Sequence, residues 1–152
     1  MTVQWQALVA LVVLTVVVGL VHRSRQGRLR LHGSVLAVPN AWGADLAALG
    51  TAPGARATFL QFSTAVCTPC RATARTLGAL AEAEEDVEHI EVDVDEHVNL
   101  VLRAGVLRAP TVLVLDAAGT EVARASGAMT PAQARAALDA VTSDSLPSGR
   151  NA

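Results

Sequence analysis

The chain has 152 residues, is 51% apolar, and sets 12 arginines (no lysine) against 14 acids for a net charge of −2. That is enough for one domain with its own core plus an appendage. The near-neutral balance argues against a nucleic-acid binder, since the arginines lack interleaved aromatics and most of the chain is acidic.

Residues 3–21 carry no charge and would reach roughly 28 Å as a helix, close to the hydrocarbon thickness of a bilayer, with Trp5 as an interfacial anchor. A cleaved secretory signal needs a basic start and a small-x-small exit, and neither is present. The run therefore reads as a retained transmembrane helix. Arg23, Arg25, Arg28 and Arg30 follow it, whereas residues 33–152 hold eight arginines against all fourteen acids, a net of −6. Basic residues stay on the cytoplasmic side, which predicts a cell-membrane protein with its C-terminal domain on the cytoplasmic face; an extracytoplasmic domain is the alternative.

Residues 22–33 read as a basic juxtamembrane linker, and 34–38 as a first edge strand. A short helix is expected over 41–49, then a central strand over 57–62, where a β-favouring run is bounded by turn residues. Next comes Cys67-Thr68-Pro69-Cys70, which holds both cysteines of the chain. A Cys-x-x-Cys between a strand and a helix is a redox motif. Its leading sulfur would sit at a helix start, where free N–H groups and the helix dipole favour a thiolate.

From Cys70 the pattern is helical to about Ala83, with Thr73, Leu77, Leu80 and Glu84 on one stripe and Gly78 as a weak point. The acids Glu82, Glu84, Glu85 and Asp86 read as a solvated face. Ile90, Val92 and Val94 alternate with His89, Glu91 and Asp93, a strand with one dry face. Asp95 is a good cap for a helix running to Ala104 and stopped by Gly105. Residues 110–115 form a continuous apolar strand, and 116–119 turn the chain into a second strand over 120–126. Thr130-Pro131-Ala132-Gln133 is a capping box opening the last helix, with Ala134, Ala137, Leu138 and Val141 as its apolar stripe. Residues 143–152 read as a disordered tail. The order β-α-β-α-β-α-β-β-α predicts an α/β fold with a mixed four- or five-stranded sheet between helices.

Over residues 34–142 the chain resembles the thioredoxin family. The resemblance rests on residues 62–71, strand into Cys-x-x-Cys helix, and on Gly105-Val106-Leu107-Arg108-Ala109-Pro110-Thr111. It implies a thioredoxin fold and a membrane-tethered thiol–disulfide oxidoreductase, reducing rather than oxidising, with a redox-active Cys67–Cys70 disulfide and no other cofactor. Cys67 would attack substrate disulfides and Cys70 resolve the mixed disulfide. Pro110 would be cis. Val66, Thr68, Pro69, Ala109, Pro110 and Thr111 would contact substrate. Partners would be protein disulfides or dithiols, an upstream electron donor and the bilayer, with no nucleic acid.

Two positions depart from the family. Val66 stands where it has tryptophan before the first cysteine, and Gln61 where it has a buried acid that handles a proton. Glutamine can hydrogen-bond but cannot take that proton. The competing reading is delivery of copper or zinc by the same two thiols, for which His89 and His97 are the only further histidine candidates within the domain; a structural zinc site needs four ligands.

Overall fold

The structure is a computed structural model that describes residues 2–25, 29–31 and 41–144, with the side chains of 5–21 and 41–143. Helix α1 (Thr2–Arg25) and strand β1 (Leu29–Leu31) are followed by α2 (Gly43–Ala48), β2 (Ala57–Ser63) and α3 (Thr68–Ala83). Then come β3 (Val87–Asp93), α4 (Val98–Ala104), β4 (Thr111–Asp116), β5 (Glu121–Ser126) and α5 (Pro131–Asp144). The strands form one mixed sheet in the order β1-β5-β4-β2-β3. Only β2 and β3 run parallel; the other neighbours are antiparallel.

Strand β2 is buried at every position because it has a strand on each side and helices on each face. Period-two alternation divides its side chains between two cores. Ala57 and Phe59 pack with Leu77 and Leu80 of α3 and Ala134, Ala137 and Leu138 of α5. Leu60 and Phe62 turn the other way, onto Trp42, Leu46, Val92 and Ala104. The continuous apolar run of β4 supplies both: Val112 and Val114 to the first, Leu113 and Leu115 to the second. Arg103 fastens α4 to α2 through an ion pair with Asp45 and stacks its guanidinium 4.6 Å from the Trp42 ring centre.

Several boundaries differ from those expected. Residues 22–25 continue α1, and Leu29–Leu31, read as linker, pair with β5 through Leu29↔Ala125, Arg30↔Arg124 and Leu31↔Ala123. The free N–H and C=O groups along the outer edge of β5 are what a short strand there can satisfy. The edge strand expected over 34–38 lies outside the described residues. The cysteine helix starts at Thr68 rather than Cys70, with Pro69 in its first turn, where a missing N–H costs nothing. Helix α4 starts at Val98 with His97 in the cap position. Asp95 is held in the preceding turn, where its N–H donates to the Asp93 carboxylate at 2.8 Å.

Other signals hold. Gly105 ends α4 with φ 61°. In the capping box, the Thr130 N–H donates to Gln133 Oε1 at 2.9 Å and the Gln133 N–H to Thr130 Oγ1 at 3.3 Å. Residues 143 and 144, read as tail, extend α5, and 145–152 lie outside the described residues. Glu84 and Asp86, read as solvated acids, both pair with Arg56, at 2.6 and 3.1 Å.

The described side chains of α1, residues 5–21, are all exposed, Trp5 by 71%. They form about 26 Å of helix. Among the described residues, no helix is long and apolar enough to cross a membrane.

Two glycines respond oppositely to a side chain. A Cβ at Gly54 would lie 2.9 Å from the Glu88 nitrogen and 3.0 Å from the Asp86 oxygen, and against the Ala57 oxygen, all rigid backbone. At Gly78, inside α3, the nearest atom would be His89 Nδ1 at 4.0 Å, an ordinary contact. Gly54→Ala should destabilise the domain by about 1–3 kcal/mol, whereas Gly78→Ala should stabilise it by about 0.5–1 kcal/mol. Urea denaturation of the two variants checks both signs.

Candidate active site

The site forms where β2 ends and α3 begins. An α-helix leaves the N–H groups of its first turn without partners inside the helix. Here Cys67 occupies the cap position with extended backbone, and its Sγ accepts from the Cys70 N–H at 3.1 Å. The Cys67 oxygen accepts from the Arg71 N–H at 3.2 Å, which completes the turn. The two sulfurs are joined as a disulfide, with Cα atoms 5.2 Å apart. Cys67 is half-buried, whereas Cys70 is 1% exposed beneath the first turn of α3. A reagent approaching from solvent therefore meets the Cys67 sulfur.

A second loop reaches the same end of the sheet. The β2–β4 register pairs Phe62 with Thr111, so the residues just before β4 lie beside the end of β2. The Ala109–Pro110 peptide is cis, as the resemblance implied. Pro110 is buried, and its oxygen accepts from the Gly127 N–H at 2.7 Å. The Thr111 side chain is buried too, and its hydroxyl donates to the Arg108 oxygen at 2.8 Å, holding the loop. Val66, Thr68 and Pro69 are exposed and Ala109 is partly so. Val66 stands 96% exposed, and so does Leu107, an apolar residue on the second loop that sequence reasoning passed over.

Under the first turns of α3 lies a polar island. Gln61 is fully buried on the face of β2 that α3 covers. Its Nε2 lies 2.7 Å from Ser63 Oγ, 3.1 Å from the Cys70 oxygen and 3.3 Å from Glu91 Oε1. Its Oε1 accepts from His89 Nε2 at 3.2 Å, so the imidazole is the Nε2–H tautomer. The amide thus ties the backbone of the second cysteine to a histidine and a carboxylate on β3.

The sequence placed His89 and Glu91 on a wet face. Glu91 is exposed as read, but parallel pairing of Phe59 with His89 puts the imidazole, half-buried, on the face of β2 that α3 covers, where Gly78 lacks a side chain to fill the space beside it. Alternation in β3 was the signal present in the sequence; which face the helix covers was not. Among the described residues, no three His, Cys, Asp or Glu side chains gather where they could hold a metal ion.

The thioredoxin family model matches residues 48–140, which include both cysteines and the cis-proline. The chain belongs to the thioredoxin family. Among solved structures it is similar to thioredoxin of Fasciola hepatica, with 32% identity, coverage of 63% of this chain and 90% of that one, and a TM-score of 0.54. Chloroplastic thioredoxin z (22% identity, 73% and 99% coverage, TM-score 0.56) and Malassezia sympodialis thioredoxin (21%, 71% and 96%, 0.51) share the fold. No curated protein matches the chain. A thioredoxin domain whose cysteine pair closes into a disulfide is a thiol–disulfide oxidoreductase.

Burial lowers the His89 pKa from 6.5 because the charged imidazole loses hydration, with Glu91 opposing in part. A depressed histidine makes the unfolded chain the stronger proton binder, so stability is full above 6.5 and falls as the pH drops below it. Thermal melting of the oxidised protein from about pH 7.5 to about pH 5.5 should show a loss in wild type that His89→Gln reduces. An unchanged slope would place that loss elsewhere.

Proposed function

We propose that this thioredoxin-family protein is a membrane-tethered disulfide reductase in which Cys67 attacks and Cys70 resolves. The observation that supports this assignment best is the unequal exposure of the two sulfurs at the start of α3. Reduced Cys67, on the exposed lip, has a ready N–H donor in Cys70 and the positive end of the α3 dipole to stabilise its thiolate. It would attack a protein disulfide to form a mixed disulfide. Buried Cys70 then attacks the Cys67 sulfur, releasing the reduced product and closing the Cys67–Cys70 disulfide. An upstream dithiol donor would reopen it.

Docking would use Val66, Thr68, Pro69, Ala109, Pro110 and Thr111, the last two chiefly through the backbone, since their side chains are buried. The small Val66 leaves a lower rim before the first cysteine than an indole would. Gln61 cannot exchange a proton for Cys70, so that proton must leave by another route, which favours a specialised exchanger over a general reductase.

The tether reading rests on the uncharged run 3–21 and on its apolar side chains from Trp5 onward, none of which the domain covers. The arginines after the run support a cytoplasmic domain, and a cytosolic dithiol pool would keep the pair reduced.

Cys67→Ser should abolish dithiothreitol-driven reduction of insulin disulfides. Cys70→Ser should stall after one attack and accumulate mixed disulfides on non-reducing gels. Reduced wild type that binds Cu(I) or zinc tightly without reducing insulin would reverse the assignment in favour of metal delivery.

A further inference from the structure

We infer that the end of the sheet carrying the disulfide faces the bilayer, so that the partner is a membrane protein whose disulfide lies at headgroup level. This rests on the tether proposed above and holds for either side of the membrane.

The strand register carries the argument. One row of the sheet runs Leu29, Ala125, Val112, Gln61 and Glu91. In the next row Ser126, Thr111, Phe62 and Val92 lie side by side, and β2 then has only Ser63 before the loop to Cys67. From Leu29 to Leu31, β1 proceeds from the Ala125 level to the Ala123 level, away from that loop. The chain leaving α1 therefore enters the sheet from the disulfide end. Residues 26–28 alone separate Arg25 from Leu29, and four peptide steps reach at most about 14 Å whatever their conformation. Strand β1 is three strand spacings, about 14 Å, from β2.

Among the described residues, the opposite end has no such attachment. The hairpin at 117–119 joins β4 to β5 beyond the Ala57↔Asp116 pair, about 20 Å along β2 from Ser63. With α1 held at the bilayer as proposed above, a connection this close to the disulfide end leaves the domain little freedom to turn the hairpin toward the membrane instead.

Two further features agree. Arg23 and Arg25 fall in the last turn of α1 and Arg28 follows it in sequence, next to the proposed span, where anionic headgroups would attract them. Val66 and Leu107, each 96% exposed, stand on the two loops that close this end. They offer apolar contacts to residues flanking a partner's cysteines.

The reaction balances within the pair. The Cys67 thiolate forms a bond to one partner sulfur as the partner disulfide breaks. Cys70 then closes onto Cys67, so two electrons and two protons pass from this dithiol to the partner's sulfurs.

The test uses the full chain in vesicles whose headgroups carry a fluorescence acceptor. A donor is placed on Cys67 in Cys70→Ser, or on residue 118 in Cys67→Ser/Cys70→Ser/Ala118→Cys. Flotation with the vesicles is scored first, and a chain that does not float overturns the tether itself. In floating protein the donor at 67 should lose more fluorescence than that at 118; equal or greater loss at 118 overturns the orientation alone.

Pre-reduced wild type in the same vesicles is then offered two single-span peptides, one with its disulfide at headgroup level and one with it raised on a rigid helix of about 30 Å. The near disulfide should open faster, and a 20-residue insertion between Gly27 and Arg28, about 30 Å if helical, should abolish the preference. Equal or faster opening of the raised disulfide by wild type overturns the partner class.

Discussion

The first turn of α3 has more backbone N–H groups than the helix can satisfy, and the Cys67 sulfur takes one of them. The site depends on that bond. It holds the leading sulfur at the helix start and leaves it open to solvent, while the second cysteine passes under the turn. The strand order does the rest: with β2 between β3 and β4, the end of β2, the start of α3 and the cis-proline loop meet at one end of the sheet. One constraint thus produces two sulfurs of unequal exposure beside a second loop.

Beneath the cysteines the chain departs from its family in a coordinated way. An acid at position 61 would be buried against the Glu91 carboxylate, and two like charges that close raise each other's cost of ionisation. Glutamine removes that conflict. Its amide also engages Ser63, the Cys70 carbonyl, Glu91 and His89 together, which an ionised carboxylate, an acceptor only, could not do. The result is a polar cluster, centred on the buried Gln61 and reaching half-buried His89 and exposed Glu91, that restrains the backbone of the second cysteine. Such clusters rigidify when every member is paired. Glutamine thus restrains the Cys70 backbone without being able to exchange a proton with its thiol.

Much of this could be read before the structure. Cys67-Thr68-Pro69-Cys70 after a β run, the Thr130–Gln133 box and Gly105 are local signals, set by chemistry within a few residues, and each forms as read. What escaped depends on partners far along the chain. Leu29–Leu31 looks like a linker until β5 offers it an edge. His89 looks solvent-facing until parallel pairing with β2 carries it under α3. Leu107 is an ordinary leucine in sequence; its exposure follows from where two loops converge. Asp95 is a good cap by type, but the Asp93 carboxylate holds its N–H in a turn and moves the helix start onward.

The proposed division of labour between the two sulfurs follows from position at the helix start rather than from cysteine chemistry in general. Limited iodoacetamide alkylation of the reduced protein at neutral pH, mapped by mass spectrometry, tests it directly. Modification should fall almost wholly on Cys67, with Cys70 reacting only after unfolding. Equal labelling of both cysteines in the folded protein, or earlier labelling of Cys70, would contradict it.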